Sequence, residues 1–338
     1  MVMHWPTRRA LCLLPTALAA AGRGAGAQPQ RAAERQNFPD RPVRLIVPFP
    51  PGGPVDSAAR LIAAALPEHL RGQPAIVENR SGAGGVVGVD AVTKAAPDGY
   101  TLSFSSVGAV AVGVSLLPHL PYDPRRDLAP ITIAALVPSL LVVRPGLPVR
   151  TVAELLALVR QRPGALSFGS TGPGGTPHLA MELLRLRAGG RLDITHVAYR
   201  GAAPAITALL AGEVDCAFLD LSVLLPHVRE GKLRALALAA RARSPVAPEI
   251  PTVAEAGVPG VEVASWYSVL APAGTPQDRI EVLHAAFAAV LARPDIVRRF
   301  AEQGTEVVAS RPEATAEFIR SEIAKWGEVV RAANIRAD

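Results

Sequence analysis

The sequence predicts an α/β fold in two lobes, each a sheet flanked by helices, with a ligand cleft between the lobes. Three observations lead there. Short apolar strands alternate with amphipathic helices over most of the chain, the order that builds parallel sheets covered on both faces. Two glycine loops of one layout, in residues 44–63 and 166–186, stand 122 residues apart. The chain leaves one strand–helix series near Val143 and returns near Ala242, so one lobe draws on both ends of the chain and the other on its middle.

Residues 44–49 read as a strand, with Leu45, Ile46 and Val47 continuous as in a strand buried on both faces. A Pro/Gly loop leads into a helix that runs to about Leu66, where Pro67 interrupts it. Strand 75–78, loop 79–85, helix 86–95, the turn Pro97-Asp98-Gly99 and strand 100–105 follow, and strand 140–143 closes the series. Thr151 and Glu154 form a capping box that opens a helix to about Arg160. The second series is strand 166–169, helix 177–186, strand 195–197, the turn Tyr199-Arg200-Gly201, helix 204–210, strand 216–219, helix 221–230 and strand 235–239. Pro245, Pro248 and Pro251 mark a linker. After strand 265–271, Thr275 and Pro276 are the expected N-cap and first residue of a helix. The last helix, 312–333, sets Ile319, Ile323, Trp326 and Val330 on one face. The expected division is 1–27 signal peptide, 28–40 leader, 41–143 plus 243–338 one lobe, and 144–242 the other.

The signal reading rests on Arg8 and Arg9, the apolar stretch 10–21 and the cleavage pattern Ala25-Gly26-Ala27. That stretch is too short to span a bilayer, which takes about 20 residues, so the expected location is the periplasm. Arg8-Arg9 leaves the general and the twin-arginine export routes both open. Losing residues 1–27 removes Arg8, Arg9 and Arg23 and no acid, taking the net charge from +6 to +3. Such a spread-out charge, with 4% aromatics and no basic run, argues against nucleic acid as a partner. Cys12 leaves with the signal and Cys216 stands alone, so stability rests on the core and not on a disulfide.

The glycine-rich stretches fail the tests for nucleotide and covalent chemistry. In the run from Gly82 to Gly88, Val87 occupies the last glycine position of a dinucleotide fingerprint. No Gly-Lys-Ser or Gly-Lys-Thr exists, and Gly169-Ser170-Thr171-Gly172 is not a nucleophile elbow. No histidine pair has zinc-site spacing. No cofactor and no metal are expected.

What remains is anion binding. Each paired loop ends a strand and opens a helix, which aims free N–H groups and the positive end of the helix dipole at one spot. Gly52-Gly53 is followed three residues on by Asp56, and Gly174-Gly175 by His178. Asp56 is open between ligand contact and a carboxylate that simply favours a first helical turn. His178 is open between ligand contact and local hydrogen bonding. Arg200 is either a bidentate partner for a carboxylate or a solvent-facing side chain beside Gly201. Ser105 and Ser106 offer hydroxyls to a cleft or cap the next segment, and Trp266 and Tyr267 wall the cleft or fill the core.

Seven segments in order, PFPPGGPVDSAARLIA (48–63), VENRSGAGGVVGVDAVTKAAPDGYTL (77–102), GSTGPGGTPHLAMELL (169–184), HVAYRGAAPAITALLAGEVD (196–215), GKLRALAL (231–238), PTVAEAGVPG (251–260) and SWYSVLAPAGTP (265–276), resemble the solute receptors of tripartite tricarboxylate transporters, the Bug type. The resemblance implies a type II periplasmic-binding-protein fold that takes a small carboxylate in its cleft and hands it to a permease of one large and one small subunit. A monomer is expected, and not an enzyme, since no nucleophile–base motif is present. The resemblance points to Phe49, Gly52, Gly53 and Asp56 in the first loop and to Ser170, Gly172, Gly174, Thr176 and His178 in the second. Tyr199, Arg200 and Gly201 match a third loop, and Asp220 matches a family Asp near the cleft. Pro50-Pro51 before the first glycine pair and Pro54 after it depart from the family pattern; they stiffen the loop and remove donors. Two other classes stay open: a sensory module serving a membrane sensor, and an enzyme using His178 or Asp56 as acid or base.

Overall fold

A computed structural model describes residues 37–189 and 192–336. The expected signal segment 1–27 lies outside the described residues. Within the compact unit Pro39–Asp338, ten strands run β1 (Val43–Val47), β2 (Ala75–Asn79), β3 (Thr101–Ser106), β4 (Leu128–Val143), β5 (Ser167–Ser170), β6 (Thr195–Ala198), β7 (Cys216–Asp220), β8 (Arg234–Leu238), β9 (Ala264–Pro272) and β10 (Glu306–Val307). The main helices are α1 (Pro54–Ala65), α2 (Val86–Thr93), α3 (Val152–Gln161), α4 (Thr176–Arg187), α5 (Ala202–Ala211), α6 (Leu221–Arg229), α7 (Gln277–Leu291), α8 (Pro294–Glu302) and α9 (Pro312–Ala332). No described helix is long and apolar enough to cross a membrane.

The strand order is β2-β1-β3-β9-β4-β7-β5-β6, with β8 and β10 also on β4. One half, β2-β1-β3, is parallel and continues into antiparallel β9. The other, β7-β5-β6, is parallel and meets β4 in antiparallel fashion. β4 belongs to both: Leu128–Pro138 pairs with β9, and Ser139–Val143 pairs with β7 and β8. The chain first crosses between the two sheets inside one continuous strand, and returns between β8 and β9.

Most expected elements are present within a few residues. The first ten or so residues of β4 escape the sequence reading because Pro130 and Pro138 speak against an interior strand. The register against β9 shifts at Pro130/Thr132 and again at Ile133/Ala135, the irregularities that let such a strand persist. Thr151 caps α3 as expected, its Oγ1 accepting from the Glu154 N–H at 3.1 Å, while the Glu154 carboxylate takes the Arg150 N–H at 2.6 Å. The N-cap of α7 is Pro276, one residue later than expected; Thr275 instead turns its hydroxyl onto the Pro272 carbonyl at 2.7 Å. The helical segment 108–116, which opens with a wide π turn, and α8 carry no signal that the sequence reading caught.

The core explains the burial of strands on both faces. Val43, Leu45, Ile46, Val47, Leu102 and Phe104 are buried in one sheet, and Phe168, Cys216, Ala217 and Phe218 in the other. α9 packs against β4, α4 and segment 108–116, so it ties elements of both sheets together. Glu322 on α9 is buried and accepts from the indole N–H groups of Trp266 (3.0 Å) and Trp326 (2.9 Å) while pairing with Lys325.

Candidate functional site

The parallel strands of both sheets deliver their carboxyl ends to the candidate loops, the position where open α/β sheets hold ligands. β1 ends at the first glycine loop, β3 at Ser105 and Ser106, β5 at the second glycine loop, β6 at Tyr199 and β7 at Asp220.

The two glycine loops are copies in three dimensions. Gly52 and Gly174 have φ of +81° and +67°, a left-handed backbone that favours glycine. Gly53 (φ −75°, ψ 170°) and Gly175 (φ −67°, ψ 155°) are the N-caps of α1 and α4, and a proline stands in the first two helical positions of each. The polar residue four positions after the first glycine has the same job in both. The Gly52 N–H donates to Asp56 Oδ2 at 2.8 Å, and the Gly174 N–H donates to His178 Nδ1 at 3.0 Å. Each of these side chains has a further partner one turn on: Arg60 donates to Asp56 at 2.9 Å, and Glu182 lies 3.8 Å from His178. The neighbouring strand adds another. Asn79, ending β2, donates to Asp56 at 2.8 Å and to the Phe49 carbonyl at 3.0 Å. His196, on β6, stacks on His178 with ring centroids 4.0 Å apart.

These contacts set opposite electrostatics in the two copies. Burial alone would raise the Asp56 carboxyl, but the bonds from Arg60, Gly52 and Asn79 outweigh it and hold it at about 2. Burial lowers His178 to about 4, helped by the nearby His196 and Arg185. His178 is therefore neutral near pH 7, the form that can accept a hydrogen bond at Nδ1. Burial also lowers His196. Its Nε2 lies 2.6 Å from Ser170 Oγ, which in turn accepts from the Gly172 N–H at 3.1 Å. Ser170 has no exposed surface.

The remaining candidates fall around this frame. Phe49 and Thr176 are half-buried, and Tyr199 donates its N–H to the Ser170 carbonyl at 3.0 Å. Arg200 is exposed and makes no hydrogen bond or ion pair among the described residues. Gly201 is the N-cap of α5. Ser105 is buried with its hydroxyl unpartnered and lies opposite Ser268, also unpartnered. Ser106 lies opposite Tyr267. Segment 108–116 reaches the second copy, where Leu116 presses against Gly174, while Ala109 borders Gly85 alongside Phe49. Asp220 accepts from Ser265 Oγ at 2.7 Å, and burial pushes its carboxyl up to about 6 despite that bond. Burial and the Asp220 charge together push the buried Tyr267 hydroxyl up.

Arg60, Asn79, Glu182, His196 and Ser265 are the participants that the sequence reading did not single out. The i, i+4 spacing of Asp56–Arg60 and His178–Glu182 is a local signal that could have shown two of them. Asn79, His196 and Ser265 come from other strands and have no local signal. Among the described residues, no group of three or more His, Cys, Asp or Glu could hold a metal ion. A surface groove of about 920 Å³, bordered by Arg150, Arg234, Glu249 and Glu255, shares no residue with these loops.

The family model for the tripartite tricarboxylate transporter family receptor matches residues 58–335. The chain belongs to that family. The receptor is 42% identical over 295 residues to the protein BugT of Bordetella pertussis, covering 87% of this chain and 90% of that one. It is similar in structure to an R. palustris protein determined with adipate (39% identity, TM-score 0.79, 88% of this chain and 99% of that one). It is likewise similar to MatC of Rhodopseudomonas palustris with bound malate (36%, TM-score 0.75, 87% and 100%). The α/β fold expected from the sequence is that of this family of periplasmic solute-binding receptors.

Proposed function

We propose that the receptor captures a small carboxylate between two lobes, 41–143 with 243–338 and 144–242, and delivers it to the large and small subunits of a membrane permease. It works in the periplasm as a monomer after export through residues 1–27, and it is a binding protein and not an enzyme.

The observation that carries this reading is the state of the helix starts at the strand ends. α1, α4, α5 and α6 begin there, and none has a side-chain cap. The residues that would cap the first two, Asp56 and His178, are turned back onto Gly52 and Gly174. Asp56 thus fixes the shape of its loop and leaves the helix start to an incoming anion. Charge-assisted bonds of this kind contribute about 1.5–3 kcal/mol each, so a few of them reach micromolar affinity, about −8 kcal/mol. The bound adipate and malate of the two structural relatives fit the same chemistry.

The hinge would be β4 together with the return segment between β8 and β9. Closure is then a shift of population toward the form in which both glycine loops meet the ligand. Against catalysis stands the burial of Ser170: it lies beside His196 like a nucleophile beside a base, yet no substrate atom can reach it without opening the loop. Native mass spectrometry of the purified protein, followed by a thermal-shift screen of mono- and dicarboxylates, amino acids and nicotinate-like acids, tests the reading. Stabilisation by small carboxylates is expected; stabilisation only by uncharged or cationic solutes refutes it.

A further inference from the structure

Asp220 stands where the two sheets join. It ends β7 opposite Ser139, the residue at which β4 passes from one sheet to the other. Its neighbour across the junction is Ser265 on β9, whose hydroxyl donates to Oδ1. The other carboxylate oxygen has no hydrogen-bond partner among the described residues, and no Lys or Arg pairs with it. Ser139, 1% exposed, also has an unpartnered hydroxyl. Asp220 is half-buried, has no cation and stands beside an orphaned hydroxyl, so its second carboxylate oxygen is open to an incoming donor. The titratable and charged groups on the surrounding elements are Cys216 on β7, Tyr267 on β9, His227 and Arg229 on α6, Arg234 on β8, His196 on β6 and Glu306 on β10. None of them bonds to Asp220.

Resting on the carboxylate-receptor reading above, we infer that Asp220 selects the far end of the ligand: it accepts only a group that brings a proton donor. A hydroxyl, an ammonium or a protonated second carboxyl satisfies the free oxygen. A fully ionised dicarboxylate does not, because two carboxylates in hydrogen-bond contact cannot both stay charged. The substrate class is thus a small acid with a donor at its other end, and a dicarboxylate enters with one extra proton shared between its far carboxyl and Asp220. The raised titration of Asp220 agrees with this, since burial already disfavours its ionised form.

The experiment is calorimetric titration with adipate, adipic acid monoamide, 6-aminohexanoate and malate, in buffers of differing ionisation enthalpy, from pH 5.5 to 8.5. For adipate, the wild-type receptor should take up about one proton on binding at pH 8, and its affinity should fall by up to about tenfold per pH unit above 6. The monoamide should bind without proton uptake and with little pH dependence. Asp220→Asn should bind adipate with no proton uptake and a flat pH profile. Ser265→Ala removes the bond that lowers the Asp220 titration, so it should move the fall in affinity to higher pH; this variant carries the test if Asp220→Asn does not fold. Unchanged proton uptake and pH profiles in both variants, with acids still bound, overturn the assignment of Asp220 alone. Failure of every acid to bind the wild type overturns the carboxylate reading, and this inference with it.

Discussion

In an Asp56→Ala variant the first glycine loop loses its central acceptor. Three partners are released: the Gly52 N–H, the Arg60 guanidinium and the Asn79 amide. The drop of the Asp56 carboxyl from 3.8 to about 2 corresponds to about 2.5 kcal/mol if it acts in full. Arg60 and Gly52 lie open to water, so solvent screening reduces this to about 1–2 kcal/mol. The sign follows from a folded-state value below the unfolded one. The stabilisation is complete above the unfolded value near 4 and is lost as pH falls through about 2. Urea denaturation followed by tryptophan fluorescence should therefore show the variant about 1–2 kcal/mol less stable between pH 5 and 8, with the gap closing between pH 4 and 2. A difference under about 0.5 kcal/mol at pH 7, or one that is as large at pH 2.5 as at pH 7, would refute the claim that Asp56 holds this loop. Because Asp56 shapes the loop and does not neutralise the ligand, ligand affinity should fall only as far as the loop loosens.

The glycine copies should respond differently to a single methyl group. Gly53→Ala places a Cβ whose nearest neighbour is the Pro50 carbonyl oxygen at 3.6 Å, so it meets no clash and should cost only about 0.5–1 kcal/mol, the margin by which alanine is the poorer N-cap, while calorimetry shows weaker ligand binding. Gly174→Ala drives its Cβ into the Leu116 side chain at a left-handed φ and should lower stability by about 2 kcal/mol or more in thermal or urea unfolding. His178→Phe leaves the Gly174 N–H without an acceptor and should cost about 1–2 kcal/mol, whereas His178→Gln, which offers a side-chain oxygen, should recover part of that loss. Glu322→Ala strands two buried indole N–H groups and should cost about 3 kcal/mol; denaturation with little change relative to wild type would count against Glu322 as the anchor of α9.

The sequence by itself determined what depends on near neighbours in the chain. Leu45-Ile46-Val47 read as a doubly buried strand, Thr151 as a helix cap, and the two glycine pairs as strand-to-helix turns, because these signals lie within a few residues of one another. The alternation of strands and helices then limited the fold to an α/β sheet with its loops at the carboxyl edge. Tertiary structure decided which loops share that edge and what their side chains do there. Asn79 reaches Asp56 and His196 stacks on His178 because β2 lies beside β1 and β6 beside β5, neighbours chosen by burial and register and not by proximity in sequence. β4 was half hidden for the same reason: two prolines that oppose a strand locally are accommodated by register shifts against β9. Asp220 and Ser265, separated by 45 residues, meet only because that strand crosses from one sheet to the other. Local periodicity can mark the ends of strands, but only the order of the strands puts those ends together around one site.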